Sequence, residues 1–154
     1  MKQDLIEIKV SHPETSKISQ IDWENLPFGK VFTDHMLVMD YKDGQWQTPE
    51  ILPFGPLLMH PAMSAIHYGQ SIFEGMKAYS RENGDVVLFR PEMNAKRFME
   101  SCDRLCMPSF DEGVFIDLVK KLVEVDSEWV PKNSGSSLYI RPFVIATEAQ
   151  LGVN

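Results

Sequence analysis

Cysteine is scarce, with only Cys102 and Cys106 in 154 residues. They lie four apart in a helical-looking stretch and so share a face. Two thiols make no disulfide framework, and they are expected to be buried thiols in a reducing cytoplasm. No apolar run approaches the ~18–20 residues needed to span a bilayer. The N-terminus, MKQDLIEIKVSH, lacks the apolar core of a signal peptide. Basic runs are absent too. With 22 acidic against 15 basic residues and a net charge of -7, the chain is a poor partner for nucleic acid or an anionic membrane. No G-x-S-x-G, G-x-x-x-x-G-K-[ST] or G-x-G-x-x-G occurs, so no nucleophile elbow, P-loop or dinucleotide fingerprint is expected. None of His12, His35, His60 and His67 forms an i, i+4 pair, and no metal site is expected. Repeats and low-complexity segments are missing.

What remains is an ordinary globular composition, 44% apolar and 24% charged, at the length of one domain. Residues 1–27 are polar and unpatterned and read as an N-terminal extension with a short strand over Leu5–Val10. The globular part is expected to begin at Phe28. TDHMLVMDY alternates with period two from Thr33 to Tyr41 and predicts a strand. Asp43-Gly44 signals a hairpin, with a return strand over Gln45–Pro53. Pro49 and Pro53 place that strand at a sheet edge. A short strand is expected over Leu57–His60. Ser64–Phe73 reads as a short helix capped by Ser64 and ended by Gly75.

Met76–Tyr79 and Val86–Phe89 read as strands joined through an Asn83-Gly84 turn. Pro91 opens a helix to Leu105 with Met93, Phe98, Cys102 and Leu105 as its apolar stripe. Asp111 and Glu112 head a second amphipathic helix. Glu124, Asp126 and Glu128 at its end are expected on a solvated face. Ser137–Thr147 reads as a strand that bulges near Pro142. Strands and helices in segregated runs predict an α+β fold, an antiparallel or mixed sheet with helices packed on it. The chain stops at Leu151-Gly152-Val153-Asn154, directly after a strand-like segment, which is expected of a cut inside a longer protein.

Three places could carry chemistry. In residues 59–79, MHPAMSAIHYGQSIFEGMKAY, Tyr68 and Phe73 precede Glu74-Gly75. A glycine there lets the backbone pass close to a ligand or to another strand. Arg97, in RPEMNAKRF, is either a snorkelling surface residue or a fork aimed at a phosphate. Tyr139 and Arg141 are two apart in a strand and point to one face, which suggests a polar concave surface, with a cross-strand salt bridge as the plainer reading.

FGKVFTDHMLVMDY, HYGQSIFEGMKAY, LFRPEMNAKRF, DRLCMPSF and SLYIRPFVIATEAQLGV together resemble the N-terminal small domain of branched-chain amino acid aminotransferases, a class IV pyridoxal-phosphate family. The resemblance runs from about residue 22 to residue 154. It implies transfer of the amino group of Leu, Ile or Val to 2-oxoglutarate. It implies that Arg97 binds the phosphate of pyridoxal 5'-phosphate and that Phe28, Phe73 and Tyr139 wall the side-chain pocket. Gly75 would approach the substrate through its backbone, and Arg141 would bond the tyrosines of the pocket. Tyr68, Leu151 and Val153 would reach across to a neighbouring subunit, which implies a homodimer. The family's Schiff-base lysine belongs to a large domain that this chain does not contain, and Lys77, beside FEG, is no substitute. The chain alone is therefore expected to be inactive. A non-catalytic dimerisation or partner-binding module, or the small domain of a D-amino acid aminotransferase or aminodeoxychorismate lyase relative, remains open at this point.

Overall fold

The computed structural model describes residues 7–152. The first element among the described residues is β1 (Lys9–Val10), the end of the expected Leu5–Val10 strand, of which Leu5 and Ile6 lie outside the described residues; a 3-10 turn at Ile18–Gln20 follows. The alternating stretch folds as β2 (His35–Val38) and, after a break at Met39-Asp40, β3 (Tyr41–Lys42). Gly44, at φ 78°, closes the expected hairpin onto β4 (Gln45–Trp46). The return strand is not continuous: Gln47–Pro49 interrupts it before β5 (Glu50–Pro53). Nor is β5 an edge. It lies between β1, parallel to it, and β2, antiparallel. The prolines stand at its ends, where the ladder tolerates a missing N–H, and Pro49 offers its carbonyl to Lys9. Leu57–His60 is not a strand.

The next helix, α1, is shorter than expected (Ser64–Tyr68), with Met63 rather than Ser64 at its N-cap position. Gly69, not Gly75, ends it in the left-handed conformation, φ 66°. The rest of the expected helix is a strand, β6 (Ser71–Phe73). β7 (Met76–Ser80) and β8 (Val86–Leu88) pair through the Asn83-Gly84 turn. α2 (Pro91–Arg104) opens on Pro91, and α3 (Glu112–Val125) is capped by Asp111, whose carboxylate accepts from the Gly113 and Val114 amides. A 3-10 turn (Ser127–Trp129) leads to β9 (Leu138–Ile140) and β10 (Phe143–Ile145), separated at Arg141-Pro142.

The fold is α+β. α2 and α3 meet through Phe98 and Phe115, ring centres 4.9 Å apart. Both pack into one core with Ile72, Met76, Ala78 and Ile140 of the strands. The buried stripe of α2 is Ala95, Phe98, Met99 and Cys102; Met93 and Leu105 are exposed. Cys106 is exposed as well, at φ 53°, so only Cys102 is a buried thiol.

The acidic cluster at the end of α3 is not uniformly solvated. Asp126 is buried and accepts from the His35 ring at 2.6 Å and from the His35 amide at 3.3 Å. The other ring nitrogen of His35 lies 3.0 Å from His12. Next to it, Asp34 accepts from the Ser16 hydroxyl, the Lys17 amide and the Trp129 indole. These buried groups tie residues 12–17 to β2 and α3. Among the described residues no helix is long and apolar enough to cross a membrane.

Candidate functional site

The site is built on a bent ribbon. β6 pairs with β10 and β7 with β9 in one continuous antiparallel register. Both strands lapse at the same level, Glu74-Gly75 opposite Arg141-Pro142. Pro142 has no N–H to give to the ladder, but its carbonyl accepts the Glu74 amide at 2.8 Å and holds the bend together. Alternation then sorts the side chains. Phe73, Gly75, Tyr139, Arg141 and Phe143 fall on the outer face. Ile72, Glu74, Met76, Ala78 and Ile140 fall on the core face and are buried.

On the outer face the hydroxyl end of the Tyr139 ring lies against Gly75. A side chain at Gly75 would run into the Tyr139 hydroxyl and come within 3.2 Å of Cζ. This glycine is required by close approach, not by its dihedrals. Arg141 donates to the Tyr139 hydroxyl from Nε (3.2 Å) and Nη2 (2.8 Å). Its guanidinium also sits 4.3 Å from the centre of the Phe73 ring. It is thus held by aromatic groups of its own face rather than by a cross-strand carboxylate. Phe28, arriving from the N-terminal segment, meets Tyr139 edge-on at 5.3 Å. Phe28 is 78% and Phe73 65% exposed, so the aromatic wall stands open.

Beneath the bend, Glu74 is buried and takes Arg97 of α2 in a two-pronged bond, Nε to Oε2 and Nη2 to Oε1, each 2.6 Å. Oε1 also accepts the Gly75 amide at 2.7 Å, and Asn94 of α2 donates to the Gly75 carbonyl at 3.2 Å. Burial pushes the Glu74 carboxyl up, but the Arg97 and Gly75 bonds outweigh it and hold it below the usual carboxylate range. Arg97 is raised in turn by the same carboxylate. The arginine side chain is 66% exposed. Of the three sides of its guanidinium, the Nε/Nη2 edge is spent on Glu74. The Nη1/Nη2 edge points no further donor at an acceptor among the described residues and suits two oxygens of an anion.

Phe28, Phe73, Gly75, Tyr139, Arg141 and Arg97 therefore converge on one bend. Tyr68 stands apart at the end of α1, half exposed, its ring tilted against His67. Leu151 is exposed near the end of the described residues, and Val153 lies outside them. Lys77 faces Tyr139 in the β7–β9 register. A surface concavity of about 710 Å³ between the β7–β8 turn and residues 132–136 contains none of these residues. Sequence reasoning gave no role to Glu74 or Asn94. The signal for Glu74 was its phase: Ile72, Met76 and Ala78 mark an inward period-two stripe, and a glutamate occupies it.

The match to known proteins is extensive. Branched-chain-amino-acid transaminase 1 of Bacillus subtilis is 53% identical over 133 residues, 86% of this chain. Aminotransferase 2 of the same organism is 52% identical over 147 residues, 95% of this chain. This chain matches part of the branched-chain-amino-acid aminotransferases. It spans 37% and 40% of those two relatives' length. No protein-family model matches it. Among solved structures, the branched-chain aminotransferase of Escherichia coli shares the fold over 79% of this chain and 36% of its own, with a TM-score of 0.59 at 22% identity. A second branched-chain aminotransferase, complexed with N-(5'-phosphopyridoxyl)-L-glutamate, aligns over 68% of this chain and 33% of its own, with a TM-score of 0.56 at 30% identity.

Proposed function

We propose that this chain is the small domain of a branched-chain amino acid transaminase, residues 28–154 forming the domain behind an extension of residues 1–27. The whole enzyme moves the amino group of Leu, Ile or Val to 2-oxoglutarate. It does so as a cytoplasmic homodimer with pyridoxal 5'-phosphate. The observation that carries the reading is the free edge of Arg97, held through Glu74 at a bend whose other face carries an open aromatic wall, in a chain about half identical to these enzymes. The residues present suit the phosphate end of that cofactor, since a guanidinium already fixed along one edge can take two phosphate oxygens along the next.

When bound, the cofactor supplies the electron sink. This chain's residues bind and orient. Arg97 holds the phosphate. Phe28, Phe73 and Tyr139 exclude water from a branched aliphatic side chain, and such a wall discriminates weakly over one methylene, so all three amino acids are accepted. Arg141 fixes the Tyr139 hydroxyl, and the Gly75 backbone lets the substrate approach the ribbon. Tyr68, Leu151 and Val153 serve the neighbouring subunit's pocket, in keeping with the exposure of Tyr68 and Leu151. The Schiff-base lysine comes from the part of the enzyme that this chain does not contain, so the 154 residues do not transaminate alone.

The test begins with the reading frame past codon 154. Continuation for roughly two hundred codons, with a motif-embedded lysine, is expected from relatives about two and a half times as long. The protein of the complete frame then converts L-leucine and 2-oxoglutarate; activity on D-alanine instead would move it to a relative in the same fold family. Tyr139→Ala is expected to damage catalysis with leucine and to spare the cofactor spectrum.

A further inference from the structure

We infer that Glu74 is a positioning residue for the phosphate site, fixing which edge of Arg97 is offered to an anion. The inference rests on the reading of Arg97 given above and adds a residue that acts only through it. An arginine two-thirds exposed on a helix has no reason to keep one rotamer. Glu74 supplies that reason. Its carboxylate is buried, its Oε1 is pinned by the Gly75 amide, and its own amide is pinned by Pro142. The carboxylate therefore cannot follow the arginine, and the arginine must come to it. Asn94 adds a second tie from α2 to the same glycine.

Two effects of the carboxylate oppose each other. It partly neutralises the charge that attracts a phosphate, and it pre-orients the donors that bind it. The guanidinium lies at the solvent boundary, where charge–charge terms are screened. Orientation wins there, because an ordered fork loses less freedom on forming two bonds. Removal of the carboxylate therefore weakens phosphate binding despite the gain in net positive charge.

The experiment compares binding of pyridoxal 5'-phosphate and of pyridoxal, which lacks the phosphate, to the protein of the complete reading frame. The affinity ratio isolates the phosphate. In Glu74→Gln the ratio is expected to fall about twofold to tenfold, the cost of ordering one rotamer-rich side chain on binding and less than the loss in Arg97→Ala. Pyridoxal affinity itself stays as in the wild type, which a general loss of structure would not permit. Glu74→Asp, which keeps the charge and cannot span the gap, falls similarly and serves where Glu74→Gln does not fold. An unchanged or larger ratio in these variants, with a collapsed ratio in Arg97→Ala, overturns the positioning role. A ratio unmoved by Arg97→Ala overturns the phosphate assignment itself.

Discussion

Two acid–base pairs in this chain share a contact distance of 2.6 Å and little else. His35 and Asp126 are both buried, and each of their side-chain polar atoms has a partner among the described residues: ring to carboxylate, amide to carboxylate, second ring nitrogen to His12. Arg97 and Glu74 are asymmetric. The carboxylate is buried and fully engaged, while the guanidinium is exposed with one edge unspent. A pair that closes all its bonds can only hold parts together. A pair that is anchored on one side and open on the other can also bind. The first joins β2 to the end of α3 and fastens His12 to both, and the second sits where the ribbon bends.

The largest expected effect comes from breaking the closed pair. Asp126→Ala strips a buried ring and a buried amide of their acceptor and is expected to cost about 2–5 kcal/mol of unfolding free energy, read as a lower urea midpoint. The phosphate-dependent part of cofactor affinity should survive in whatever remains folded. Arg97→Ala is expected to do the reverse on binding, lowering affinity for pyridoxal 5'-phosphate about tenfold to hundredfold, as for a lost charge-assisted bond. Equal loss of cofactor affinity in both variants would erase the distinction between scaffold and site.

Much of this was legible in the residues. Turn chemistry at Asp43-Gly44 and Asn83-Gly84, Pro91 at a helix start and the stripe of α3 are local rules, and the chain obeys them. Failures occurred where a distant partner decides. Asp126 looked solvated because its partner, His35, is 91 residues away. Residues 64–73 looked helical throughout because nothing local announces that 71–73 pair with 143–145. At the site, period two puts Tyr139 and Arg141 on one face, but Phe73 falls in the stretch that looked helical, and its place on the wall, like that of Phe28, followed only from the family resemblance. The Arg97 alternatives, surface arginine or phosphate fork, could not be separated without Glu74, since the residue is exposed and held at once.

Gly75→Ala probes the outer side of the bend. A methyl group there meets the Tyr139 ring. Overpacking of this kind costs about 1–3 kcal/mol unless the ring moves. If it moves, the Arg141 bonds to its hydroxyl go with it, and KM for leucine is expected to rise more than kcat falls. Adding Tyr139→Phe removes the nearest clashing atom and should recover part of the loss in stability. A second variant no better than the first would mean that the strain lies in the backbone and not in the ring.

The smallest effect is a matter of pH, and it returns to the closed side of the comparison. Burial pushes the Asp34 carboxyl up, but bonds from Lys17, Ser16 and Trp129, with His35 nearby, hold it below its ordinary value. A carboxyl depressed in the folded state binds its proton later than in the unfolded chain. The stability it contributes is complete above the unfolded value near 4 and drains away as pH falls through the folded one. Glu74 drains in the same direction. Asp34→Asn should therefore be least stable relative to wild type at about pH 6, with the gap in urea midpoint narrowing toward about pH 3. A gap constant across that range would show that Asp34 acts through shape and hydrogen bonding alone, with no charge stored in the clasp on the N-terminal segment.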